Sequence, residues 1–137
     1  MKPFALTPEM TSAVGTFYPT GYVFAVFPDE AGARAAADAM QEQDRTDVAH
    51  APPDAILQHV VRTLGNADDP LPSVGAEGVI VRRIADMASN GSHALFFEAH
   101  DEDSPESLTD LLEPLGCQAA FYYRRLIIEE LISTPVP

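Results

Sequence analysis

The sequence predicts a mixed α/β sandwich: a ferredoxin-like four-stranded sheet made from two strand-helix-strand halves, with a helical insertion between them. Tyr22 to Phe27 is an apolar run that breaks at Pro28-Asp29, enters an alanine-rich stretch to Gln43 and re-emerges at Asp47-Val48-Ala49-His50. His93 to His100 repeats the pattern, breaking at an acidic loop, entering a leucine helix to Leu115 and re-emerging as Cys117 to Arg124. The segment between the halves has apolar residues at helical spacing.

At 137 residues the chain is one domain. Residues 1–19, with three prolines and no clear period, read as an N-terminal tail. Residues 20–132 form the α/β domain, and 133–137 a C-terminal tail.

The first strand, Gly21 to Phe27, puts Tyr22, Phe24 and Val26 on one face and Val23, Ala25 and Phe27 on the other. Both faces are apolar, so both must be covered. Asp29 is a good N-cap for the first helix, where Ala35, Ala36, Ala39 and Met40 give a small-residue face. A short second strand is expected at Thr46 to His50. Pro52-Pro53-Asp54 then starts a second helix with the stripe Ile56, Leu57, Val60, Val61 and Leu64, stopped by Gly65-Asn66. His59 lies outside that stripe.

Asn66 to Gly78 is a turn-rich connection. A third helix, Glu77 to Ser89, turns Val79, Ile80, Ile84, Met87 and Ala88 inward and Arg82, Arg83 and Asp86 outward. The third strand is Ser92 to Asp101. Ser104-Pro105-Glu106 reads as N-cap, first-turn proline and dipole-favoured acid of a fourth helix, with Leu108, Leu111, Leu112 and Leu115 on its apolar face. The fourth strand runs from Cys117 to about Arg124, and Leu126 to Ile132 continues it or forms a last helical turn. Right-handed crossovers put both crossover helices on one face of the sheet. The inserted helices or a second copy of the chain must cover the other.

A formal net charge of −13, from 21 acidic and 8 basic residues, repels phosphate backbones and anionic membranes, so neither nucleic acid nor membrane is an expected partner. No apolar run reaches the length of a signal-peptide core or a membrane span. The single cysteine, Cys117, excludes an internal disulfide and fits a reducing compartment, so a cytoplasmic location is expected. At a strand start beside Ala119 and Phe121, it reads as a buried structural thiol.

Candidate chemistry falls on a few residues. Glu98 and His100 share a face of the third strand about 7 Å apart, a spacing open to acid-base work. No HExxH, CxxC or HxH motif accompanies them, so no metal or cofactor is expected. Tyr122 and Arg124 share one face of the fourth strand, with Phe121 and Tyr123 on the other. The cluster Tyr122, Tyr123, Arg124 and Arg125 could hold an anionic ligand, but such a cluster more often covers a sheet face or a subunit interface, and the interface is the favoured reading. Arg82 and Arg83 form a second basic pair. Gly75-x-x-Gly78 ahead of a helix matches neither a P-loop nor a dinucleotide fingerprint, and no G-x-S-x-G or Ser/His/Asp arrangement is present.

Four strings, Thr16 to Phe27, Leu71 to Gly78, His93 to Leu95 and Tyr123 to Leu131, resemble those of a group of small bacterial proteins with no assigned activity. More loosely, the pattern is similar to general-stress-protein-like α/β domains. The resemblance implies a cytoplasmic accessory protein and transfers no catalytic residue. Where some of those domains carry a glycine-zipper segment, this chain has Val79-Ile80-Val81-Arg82-Arg83, which argues against membrane association.

The leading expectation is a non-enzymatic accessory protein acting through homo-oligomerisation, a dimer first, or through a protein partner. The alternative is a small-molecule anion or nucleotide sensor using Arg82, Arg83, Arg124 or Arg125 at a subunit cleft. An enzyme built on Glu98, His100 and Tyr123 is the third reading.

Overall fold

A computed structural model describes residues 2–3, 21–43, 45, 48–61, 76–124 and 128–133. The chain forms a mixed α/β fold around one sheet. Its elements are β1 (Lys2–Pro3), β2 (Tyr22–Phe27), α1 (Glu30–Glu42), β3 (Ala49–Ala51), α2 (Pro53–Ala55), α3 (Ala76–Ser89), β4 (His93–Glu98), α4 (Pro105–Leu112), β5 (Ala119–Tyr123) and β6 (Ile128–Ser133). A π-helical turn, Ile56–Val61, extends α2, and a 3₁₀ turn, Glu113–Leu115, extends α4.

The strand order is β1-β3-β4-β2-β5-β6. All neighbours are antiparallel except the β1–β3 pair, which is parallel. The sheet therefore has six strands, and the expected four-stranded sheet is corrected at both edges. Lys2 and Pro3, read in the sequence as tail, pair with Ala49 and His50. The ambiguous Leu126 to Ile132 segment supplies β6, which turns back on β5 with a register shift between Ala120 and Phe121.

Two strand-helix-strand units are interleaved. β4 lies between β2 and β3, and β2 lies between β4 and β5, so each unit's strands are separated by a strand of the other. Central β2 is accordingly apolar on both sides, and Val23 to Phe27 are all buried. Val23, Ala25 and Phe27 join Leu95 and Phe97 against Ala33, Ala36, Ala37 and Met40 of α1 and Leu108 and Leu112 of α4. On the opposite face Phe24, Val26, Phe96, Phe121 and Tyr123 pack with Ile56 of the π-helical turn and Ile84 and Ala88 of α3. Both crossover helices thus share one face, and the insertion covers the other. Neither face needs a second chain to close it.

Local chemistry sets the helix ends. Asp29 accepts from the Gly32 amide at 2.7 Å and caps α1. Ser104 and Ser107 form a reciprocal capping box at α4, with Pro105 in its first turn. Gly116 ends the 3₁₀ turn at φ +82°, a left-handed conformation that favours glycine.

Some expected faces and bounds shift. α1 buries Ala33, Ala36, Ala37 and Met40, a regular i, i+3, i+4, i+7 row, in place of the face through Ala35 and Ala39. Alanines on every side of this helix hide its phase from the sequence. The second helix changes to π geometry at Ile56, which buries Ile56 and leaves Leu57 36% exposed, so the stripe expected through both is not kept. The side chains of His59, Val60 and Val61, the stop at Gly65-Asn66 and most of the following connection lie outside the described residues.

Candidate functional site

The expected Glu98/His100 pair does not form on a strand face. β4 ends at Glu98, which sits opposite Tyr22. His100 lies beyond it in a turn where its amide donates to Asp103 Oδ2 at 2.7 Å. Its Nδ1 is 3.9 Å from Glu102 Oε1, with side chains 40% and 81% exposed. Tyr123, the third member of the enzyme reading, is buried at 2% exposure in the core face formed with α3.

The arginines expected to hold an anion lie beside carboxylates. The Arg83 guanidinium donates to Glu130 of β6 and lies over the Phe121 ring, 5.8 Å from its centre. Arg124 donates to Glu129 at 3.0 Å and covers the half-buried Tyr122 at 5.6 Å. The structure thus ties Arg83 and Arg124 to neighbouring positions of one strand, from α3 and from the β5–β6 turn. Arg82 is exposed on α3, and Arg125 lies outside the described residues.

Two polar clusters were not expected from the sequence. Arg45, after α1, donates from Nη2 to Asp103 Oδ1 at 2.6 Å, with side chains only 10% and 9% exposed. The guanidinium lies 5.5 Å from the Phe97 ring centre, and its Nη1 is buried without a hydrogen-bond partner. Burial alone would raise the Asp103 pKa, but the Arg45 hydrogen bond and the His100 amide hold it below the ordinary value.

The second cluster joins His50 of β3 to His93 of β4, Nε2 to Nδ1 at 2.9 Å. The rings are within 2° of parallel, with centres 5.1 Å apart. That spacing is the N···N distance plus the two ring radii, so the rings meet edge to edge in one plane. Glu30 and Arg34 of α1, paired at 2.9 Å, supply the nearby charges. Burial first, then His93 and Arg34, push the His50 pKa below its ordinary value, while Glu30 opposes them. The two histidines lie 43 residues apart. The signal that could have found them is topological: in antiparallel neighbours, the end of β3 meets the start of β4.

Cys117 is buried, donates to the Ala119 carbonyl at 3.1 Å, and burial pushes its thiol up to about 12. Among the described residues no group of three or more His, Cys, Asp or Glu could hold a metal ion, and no helix is long and apolar enough to cross a membrane. One shallow groove of about 280 Å³ runs between α4 and β6, lined by Glu106, Asp110, Glu129 and Glu130 with Pro105, Thr109 and Leu131. Glu129 and Glu130 are countered there by Arg124 and Arg83, so Glu106 and Asp110 give the groove its remaining negative charge.

Comparison of the chain with family models, curated proteins and solved structures finds no match of any of the three kinds.

Proposed function

We propose that this chain is a non-enzymatic accessory domain that acts in the cytoplasm through contact with a protein partner. Four of the five described arginines sit on carboxylates, namely Arg34, Arg45, Arg83 and Arg124, and this observation carries the reading. It counts against an anion or nucleotide sensor, whose ligand would compete with the carboxylate already beside Arg83 or Arg124 in these surface ion pairs. The net charge of −13, to which Glu106 and Asp110 of the α4–β6 groove contribute, favours a partner with a positively charged surface.

The interleaved inner strands, β3-β4-β2-β5, have the order of a ferredoxin-like split βαβ unit, and we read the fold as that architecture extended at each edge. A second copy is not needed to bury the sheet, so homodimerisation, if it occurs, uses an edge or the helical surface.

Native mass spectrometry of gently purified protein tests this reading. The expected result is a chain without retained small molecules, in a complex with a cationic protein that dissociates as salt rises. A co-purifying nucleotide or anionic metabolite would overturn it in favour of the sensor.

A further inference from the structure

We infer that His50 and His93 form a proton-operated latch between β3 and β4. One N–H···N bond spans the 2.9 Å gap, so the neutral pair has one donor nitrogen and one acceptor facing each other. A first added proton goes to the outward nitrogen of the donor ring, either His50 Nδ1 or His93 Nε2. It leaves the bond intact and charge-assisted. A second proton can only occupy the inward acceptor nitrogen. N–H then faces N–H between two imidazoliums, and the contact must break.

The location makes that break consequential. β3 has only three residues, paired to Leu95, Phe96 and Ala94 of β4 on one side and to β1 on the other. Immediately after β3 come α2 and the π-helical turn, whose Ile56 covers the second face of the sheet together with Ala49 and Ala51. Parting the histidines therefore loosens the edge on which the inserted layer is mounted. The described charged groups facing the pair are Glu30 and Arg34 of α1, an exposed ion pair of which Arg34 opposes and Glu30 favours added protons on His50. β1 meets this site by backbone pairing, with Pro3 opposite His50.

The test is a pH titration of the ¹⁵N-labelled full chain from about pH 8 to about pH 5, the range in which histidine changes charge. Two-bond ¹H–¹⁵N spectra report the imidazoles, and hydrogen exchange corrected for intrinsic rates reports the β3 amides. The latch predicts that the pair titrates in two steps separated by more than about one unit. At the second step, protection of the Ala49–Ala51 amides falls about tenfold, the loss of one hydrogen bond's net contribution, while that of β2 and β5 stays level. In His50→Gln and in His93→Gln the remaining imidazole titrates in one step and the pH dependence of β3 protection disappears. Independent single-step titration of the two wild-type histidines would overturn the latch. So would β3 protection that ignores pH, or a pH dependence that survives in both variants.

Discussion

Arg45 and Asp103, 58 residues apart in sequence, meet at 2.6 Å with both side chains about nine-tenths buried, tying the end of α1 to the loop that enters α4. The Ser104 cap of α4 follows Asp103 directly, so this ion pair holds the two crossover helices to the same end of the sheet. Removing one partner strands the other. Asp103→Asn is expected to cost about 3 kcal/mol, whereas an Arg45→Met/Asp103→Leu double variant should fall within about 1 kcal/mol of the wild type. Urea denaturation of the three proteins measures both quantities; equal losses in single and double variants would contradict the assignment.

The two clusters place acid sensitivity in separate windows. His50 is held below its ordinary 6.5, so the unfolded chain takes up that proton first; its stabilisation is full above 6.5 and is lost as pH falls through the lower folded value. Asp103 is held below 3.8, so its share is full above 3.8 and lost as pH falls further through its folded value. Stability measured against pH should decline in two stages. His50→Gln should remove the upper stage alone, and Asp103→Asn should diminish the lower, to which Glu30, held below its ordinary value by Arg34, also contributes.

Cys117 should be inert in the folded protein. With its thiol pushed up to about 12 by burial, thiolate is scarce at neutral pH. Labelling by a maleimide is expected only at the rate at which the strand opens, and it should accelerate in step with denaturant. Rapid stoichiometric labelling of native protein would show that the thiol is accessible.

Much of the architecture was written in local pattern. The doubly apolar Tyr22 to Phe27 run identifies a strand covered on both faces, and Asp29, Ser104 and Pro105 mark their helices because capping is a short-range interaction. β1 was not legible, since two residues carry no period and their pairing with Ala49 and His50 is set by tertiary placement. β6 was ambiguous for a similar reason: Ile128 to Ile132 fits strand or helix until β5 offers it a partner. The site was the least legible part. Glu98 and His100 share parity only while the strand lasts, and it ends at Glu98. His50 with His93 and Arg45 with Asp103 join residues from different halves, and no spacing within one segment encodes them.

The two core faces can be probed separately with neighbouring residues. Phe96 faces the inserted layer and Phe97 faces α1 and α4; both are essentially fully buried. Phe96→Ala and Phe97→Ala are each expected to cost about 4 kcal/mol in the isolated chain, because each leaves a cavity in a closed core. A loss below about 1 kcal/mol for Phe96→Ala alone would show that the inserted layer does not seal its face.

One chain closes both faces of its own sheet, leaving its surface free for a partner. The most direct measurement is the thermal midpoint of the isolated protein over a wide range of concentration. A chain that closes its own core has a midpoint that does not move on dilution. A midpoint that falls steadily as the protein is diluted would mean that folding is linked to association, and that a second copy completes the core.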